Sequence, residues 1–567
     1  MIVGRYVAMM SAVGTAICLG LAGPGGGAAS AAPPGLCEEG AASRRPLPPE
    51  CWATAAPTEE EAVRFLVQAS FGPDSASIAA VRQLGYEGWI AAQMALPLEG
   101  RVARLDRSGV ADPRRNTLVD ANWEAMIEAE DQLRQRVAYA LSQIVVVSQR
   151  MGLFGERPRV FAAYQDILLE EAFGNYGDLV ERASLNPAMG RWLTHLGSEK
   201  ADPVRGVEPD ENYAREVMQL FTIGLEELNP DGTGTGVETY TTEDVKGLAA
   251  VFTGLNWAGG DWATAGPTDA NAAAPMQGYP AFHEAGPKTF LGHTVDRGAD
   301  PEASVRDAVA FLIAHPNTGP FVSRQLIQRL VTSNPSPAYV GRVAAAFDAG
   351  RYTLPSGAVM GTGRKGDMAP VVAAVLLDEQ ARNTRLMSLS GGGKVREPVL
   401  RFTHWARAFG DGPPAGDGLA SSGSLRRAQE AGRLSQQPFR SPSVFNFYRP
   451  GYVAGGSLSA AAGLVAPEMQ ITTTGTVPGY IDYMFGVVRD GPGSAYRPDY
   501  AEEEALAHDA AALVARLDAL LAYGTLGEET KDRMRAAVSA LPQADRRARV
   551  ELAVFMAVTA PAYAVQR

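Results

Sequence analysis

The feature that most constrains this chain is the period at which its apolar residues recur, because side chains three and four apart share one face of a helix. Thr58-Glu59-Glu60-Glu61 has the spacing of a capping box, and Ala62, Phe65, Leu66 and Ala69 follow at helical period. Asp74 can cap a second helix that stops at Gly85, and a third runs from Tyr86 towards Met94. The period continues through 119–148, 160–173, 178–196, 211–223 and 242–252. It returns at 302–314, 319–332, 336–348, 368–380, 396–409, 501–522, 528–539 and 545–557. No series of alternating segments marks a set of strands. The expected fold is mostly α: a large multi-helix array or a two-lobed helical body, with minor β structure only in its long loops.

Two lobes enter as an alternative because 567 residues exceed the ~250–300 that one core usually fills. Loops rich in Gly, Pro, Asn and Asp occupy 197–210, 225–241, 256–301, 353–367, 410–424 and 438–500. A lobe boundary would fall in 256–301. Loops of this length inside a compact body are usually functional or disordered.

The first 32 residues place Arg5 before an apolar, small-residue run from Tyr6 to Ala22 and end in Ala29-Ser30-Ala31-Ala32, the layout of a cleavable signal peptide. Gly14, Thr15 and Gly20 dilute a run already shorter than the ~20 residues of a membrane anchor. The expectation is export to the extracellular space or the cell envelope, with no transmembrane segment after cleavage. Cys18 would leave with the signal. The remaining Cys37 and Cys51 lie in a Pro/Ala/Gly-rich leader, 33–57, and in an oxidising compartment they read as one disulfide, which constrains the unfolded chain by about 3 kcal/mol. The body of the chain begins at 58. A formal charge of −12, from 51 Lys+Arg and 63 Asp+Glu, argues against nucleic acid or an anionic membrane as partner.

The densest polar stretch is Asp210-Glu211-Asn212-Tyr213-Ala214-Arg215-Glu216-Val217-Met218-Gln219-Leu220-Phe221. At helical spacing Glu211, Asn212, Arg215, Glu216 and Gln219 share one arc, and Tyr213, Val217, Leu220 and Phe221 occupy the other. Glu211 with Arg215, and Asn212 with Glu216, are i,i+4 pairs that stabilise a solvated helix by only ~0.2–0.5 kcal/mol each. The same carboxylates, joined by His283, would instead make a proton-transfer or divalent-metal site. Glu211, Arg215, Glu216 and His283 are therefore the candidate catalytic residues, and Glu211, Glu216 and His283 the candidate metal ligands.

Other motifs fail on their chemistry. His283-Glu284 resembles a zinc-protease start, but Pro287 stands where the second His belongs and forbids the helix. The loop from Asn229 to Gly236 offers oxygens at alternate positions, yet Tyr240 replaces the Glu an EF-hand requires. Gly391-Gly392-Gly393-Lys394 ends like a phosphate loop, but Ser388 and Val395 replace its first Gly and its metal-binding hydroxyl. Thr241-Thr242-Glu243-Asp244 reads as a helix N-terminus.

Several blocks together resemble one large bacterial family catalogued as domain of unknown function 1800. They are the 209–221 stretch; Asp131-Gln132-Leu133-Arg134-Gln135-Arg136-Val137 with Leu141-Ser142-Gln143; Ala172-Phe173-Gly174-Asn175; Pro187-Ala188-Met189; and Thr253-Gly254-Leu255-Asn256-Trp257. Phe282-His283 with Lys288 and Leu291-Gly292, then His315-Pro316, Lys394-Val395-Arg396-Glu397-Pro398, and Pro442-Ser443-Val444-Phe445-Asn446-Phe447-Tyr448 complete the order. The resemblance spans roughly 58–567 and implies an exported, mostly helical protein with no assigned reaction. It also implies, by association, a second exported partner similar to sulfatases and phosphatases.

Two readings follow. One is an exported, hydrolase-like or metal-binding enzyme whose site joins 211–223 to 253–292. The other is a non-catalytic scaffold or binding protein for a cell-surface polymer or a second exported protein. The aromatic loops Trp257/Trp262/Tyr279/Phe282 and Phe439/Phe445/Phe447/Tyr448/Tyr452 suit either sugar stacking or a protein interface.

Overall fold

The computed structural model describes residues 56–383, 391–410, 434–492 and 496–567. The signal-peptide layout, nearly all of the 33–57 leader, the Cys37 and Cys51 pair and Ser388 lie outside these residues. The described chain is mostly helical, and its strands form five two-stranded antiparallel sheets.

The helices that position the site are α1 (Glu59–Ala69), α2 (Gln132–Ser142), α3 (Asn212–Glu216), α4 (Thr242–Val251), α5 (Pro301–Ala314), α6 (Thr318–Leu330), α7 (Met368–Leu377), α8 (Pro398–Phe409) and α9 (Thr476–Asp490). α1 starts where its capping box predicts: the Thr58 side chain accepts from the Glu61 backbone N–H, and Glu61 accepts from Thr58 N at 2.9 Å. The α4 box works likewise, with Thr241 and Asp244 in the two roles. α7, MAPVVAAVLL, is apolar all round, and it is buried nearly all round, packed against α1 and α6.

One contiguous apolar core runs from Ala62 to Tyr563 and includes residues on both sides of the 256–301 segment. The expected 119–148 helix divides into Arg115–Glu128 and α2, because the backbone at Ala129 turns out of helical geometry (ψ 139°). Four of the small sheets lie in or at the edge of the long loops. The fifth pairs Lys394–Val395 with Val565–Gln566 and ties one family block to the last residues of the chain.

α9 stands where a loop is expected. Tyr480, Tyr483, Met484, Val487 and Val488 form a buried stripe at helical period, diluted in the sequence by Pro478, Gly479 and Gly486. Pro478 is tolerated because it falls in the first turn, where its missing N–H has no intrahelical partner to lose. Among the described residues no helix is long and apolar enough to cross a membrane.

Candidate ligand-binding site

The polar arc of 211–223 divides rather than facing one way. Arg215 Nη2 and Glu211 Oε2 meet at 3.1 Å, but both side chains are about two-fifths exposed, at 42% and 37%, so this is a solvated pair. Glu216 turns inward. It is 7% exposed and its Oε2 has no hydrogen-bond partner. Burial pushes its carboxyl above the usual range, with Arg215 pulling the other way. Asn212 donates to Thr194 Oγ1 at 3.3 Å rather than to Glu216.

His283 is fully buried and engaged at both ring nitrogens. Nδ1 lies 2.8 Å from the Thr253 carbonyl, and Nε2 lies 3.0 Å from Ser304 Oγ. The carbonyl can only accept, so Nδ1 carries the proton of the neutral ring, while the Ser304 hydroxyl beside Nε2 also donates to the Asp300 carbonyl at 2.8 Å. Burial lowers the imidazole pKa, which keeps the ring neutral. Gly254 lets the chains approach: at φ +71° a Cβ there would sit 2.8 Å from His283. Lys288 Nζ is likewise used internally, donating to the carbonyls of Glu284, Gly286 and Gly298. Among the described residues no group of three or more His, Cys, Asp or Glu could hold a metal ion, so Glu211, Glu216 and His283 do not form a ligand set. Each of the three serves a different local structure.

A different place in the molecule is shaped like a site. The chain expected as one α-helix over 211–223 changes at Val217 into a π-helix, Val217–Thr222. Its wider turn buries Val217, Met218, Phe221 and Thr222 while leaving Gln219 and Leu220 half-buried on a cleft of about 380 Å³. Such π segments often occur at functional sites. Gly224 closes the segment at φ +75°, with the Phe321 ring only 2.8 Å from where a Cβ would stand. α6 supplies Phe321, Arg324, Gln325, Gln328 and Arg329 to the opposite wall, and Val444, Phe445 and Arg449 come from the 442–451 loop. Asn317 joins the walls, donating to the carbonyls of Ile223 and Glu226 and accepting from Leu228 N.

Behind the inner wall lies a buried charge centre. Glu397 Oε2 accepts from Tyr139 at 3.0 Å, from Gln143 Nε2 at 2.8 Å, and from Gln436 Nε2. Burial alone would push this carboxyl up, but Lys394 and Arg136 nearby outweigh it and hold the pKa below the ordinary value. Lys394 Nζ pairs with Glu468 Oε1 at 3.0 Å, both fully buried, and donates to the Arg329 carbonyl at 2.9 Å. Arg136 donates to that same carbonyl at 2.6 Å, and Arg329 Nη2 returns a bond to the Gln143 carbonyl at 2.8 Å. Burial pushes the Tyr448 hydroxyl pKa well up, with the Glu397 carboxylate adding to it.

The residues that meet here come from separate blocks of the sequence: Arg136, Tyr139 and Gln143 from the first, Lys394 and Glu397 from another, and Tyr448 from the last. A family model described as a protein of unknown function, DUF1800, matches residues 64–565. The chain belongs to the DUF1800 family. No curated protein and no solved structure matches it. In this DUF1800 chain, Lys394 of the apparent phosphate loop is spent inside the core on Glu468. Arg329, Gln325, Gln328 and Asn317 carry no motif and were not singled out in the sequence; the only trace of them is an unusual density of amide and guanidinium groups in an otherwise apolar helix.

Proposed function

We propose that this DUF1800 chain is a non-catalytic binding protein, acting outside the cytoplasm, that holds a partner in the cleft between the π-helix, α6 and the 442–451 loop. The observation that carries the reading is a combination in one place. The slot has walls of Ile144, Leu220, Leu225, Leu228, Phe321, Val444 and Phe445, with the guanidiniums of Arg324 and Arg449 alongside. Both arginines are exposed, and among the described residues neither is paired with a carboxylate. These two cations, set against the single carboxylate of Glu226 in the same lining, favour an amphipathic ligand with an acidic end. Support for a binding role over proton transfer is that His283 is engaged at both ring nitrogens and Glu211 is solvated.

Export rests on the layout of residues 1–32. A second exported protein, similar to sulfatases and phosphatases, fits as partner through the family association. A surface polymer is the second reading, favoured by Trp262 stacked on Phe282 at 4.3 Å with Tyr279 edge-on at 5.4 Å.

The test uses anilinonaphthalene sulfonate, an apolar body with an anionic end. The full exported chain should bind it saturably, and Val444→Trp, which fills the slot, and Arg449→Glu should each weaken binding by about tenfold with unchanged unfolding midpoints. Absence of saturable binding, or equal binding by both variants, rejects the cleft as a binding site. Retention on cell-wall polysaccharide that is lost in Trp262→Ala would favour the polymer reading.

A further inference from the structure

We propose that His315 is an acid-sensitive latch on the cleft: its neutral imidazole fastens the start of α6, and a proton taken up by the ring releases that start together with the Asn317 side chain that ties the two walls.

His315-Pro316 forms the turn between α5 and α6. The His315 ring is half-buried, and its Nδ1 accepts from the Asn317 backbone N–H at 3.1 Å. A ring nitrogen that accepts carries no hydrogen, so the neutral ring holds its hydrogen on Nε2. An imidazolium has a hydrogen on both nitrogens and accepts at neither, so no rotation of the protonated ring gives the Asn317 N–H its partner back. The bonds that His195 and His283 donate to carbonyls survive protonation; this one does not.

The surroundings favour the neutral ring. His315 stands before the N-terminus of α6, a helix of 13 residues whose first N–H groups carry partial positive charge and disfavour a cation. Two charged groups act on the ring: Glu227 on the facing hairpin, and Lys365, whose Nζ pairs with Asp348 at 3.0 Å and donates to the Ala314 and His315 carbonyls at 3.3 Å. Burial lowers the imidazole pKa, Glu227 opposes this, and Lys365 adds to it. A folded-state pKa below the unfolded one gives stability that is present at neutral pH and is lost as pH falls.

What the proton releases is the clamp between the walls. Asn317 is 2% exposed, and its side chain donates to the Ile223 and Glu226 carbonyls and accepts from Leu228 N. The backbone of Asn317 is held at its N–H by His315 and at its carbonyl by Phe321 N at 2.9 Å. Losing the first hold leaves the three side-chain bonds anchored at one end only, so acid loosens α6 from the turn that ends the π-helix.

The test compares the full exported chain with His315→Asn and His315→Ala. An Asn oxygen accepts from the N–H two residues on, so His315→Asn keeps the bond and cannot titrate. His315→Ala lacks the acceptor at every pH. Protection of the Leu228 amide against hydrogen exchange, corrected for the intrinsic pH dependence of exchange, should fall about fivefold in the wild type between about pH 7.5 and about pH 5, the worth of one hydrogen bond. It should stay within about twofold in His315→Asn and be low throughout in His315→Ala. All three proteins keep His195, so its effect on global stability cancels in the comparison. The affinity for anilinonaphthalene sulfonate should follow the same pattern. Parallel pH profiles for the wild type and His315→Asn overturn the proposal, and that pair decides it even where His315→Ala does not fold. If the dye binds at neither pH, the binding reading above falls, and the exchange of Leu228 still decides the latch.

Discussion

Asn317 donates from Nδ2 to the Ile223 carbonyl at 2.9 Å, tying the start of α6 to the turn that ends the π-helix. The same amide donates to Glu226 O at 2.8 Å and accepts from Leu228 N at 2.9 Å, so one side chain serves three backbone groups of the facing wall. Asn317→Ala would leave the Ile223 carbonyl and the Leu228 N–H without these partners. The expected loss is roughly 2–4 kcal/mol in urea unfolding, together with weaker dye binding in the cleft. A loss below ~1 kcal/mol would show that water replaces the amide at little cost.

The Lys394 and Glu468 pair is buried completely, which makes single and double substitutions behave differently. Lys394→Met strands the Glu468 carboxylate at a cost of about 3–5 kcal/mol, whereas Glu468→Leu leaves the ammonium beside Glu397 and should cost less. The double variant should recover much of that, because both charges leave the core together. Additive losses in the double-mutant cycle would mean that the two groups act separately.

Glu211 and Glu216 are separated by five positions and by environment. Glu211→Ala should change stability by less than about 0.5 kcal/mol, since its pair with Arg215 is solvated. Glu216→Gln should be neutral or stabilising at pH 7. Burial raises the folded-state pKa of Glu216, so the folded state favours the uncharged carboxyl and loses stability as pH rises through that raised value. A clear destabilisation by Glu216→Gln at pH 7 would contradict this sign.

His195 gives a pH dependence of the opposite form. It is fully buried, packed against Tyr213 with the ring centroids 4.1 Å apart, and its Nε2 donates to the Ser184 carbonyl at 2.9 Å. Burial lowers its pKa from 6.5 to about 4. Below pH 6.5 the unfolded chain takes up a proton that the folded one refuses, so stability present at neutral pH is lost as pH falls towards 4. Between pH 7 and pH 5 the wild type should lose roughly 2 kcal/mol more than His195→Gln. Parallel pH profiles for the two proteins would refute the assignment.

Export has its own readouts. The mature exported protein should begin near Pro33, after Ala29-Ser30-Ala31-Ala32, and intact Met1 in the exported fraction would contradict this. Cys37 and Cys51 should resist alkylation until reduced.

The helical architecture was legible because 3.6-residue periodicity is a local property, visible in windows such as Ala62, Phe65, Leu66 and Ala69, and capping boxes at Thr58 and Thr241 mark their own starts. The family was legible because its blocks keep their order along the chain. α9 was hidden by Pro478 and two glycines, whose cost the packing of Tyr480, Tyr483 and Met484 offsets. The π-helix was hidden because one widened turn leaves the apolar pattern almost unchanged while redirecting Gln219 and Leu220. What only the tertiary structure decided is where polar groups are spent. The sequence contained Arg136, Arg329, Lys394, Glu397 and Glu468, but their meeting depends on contacts across hundreds of residues. His283 looked available beside carboxylates until Thr253 and Ser304 were seen to occupy both its nitrogens. A side chain's chemistry is written in the sequence; its free valences are what remains after folding has used the rest.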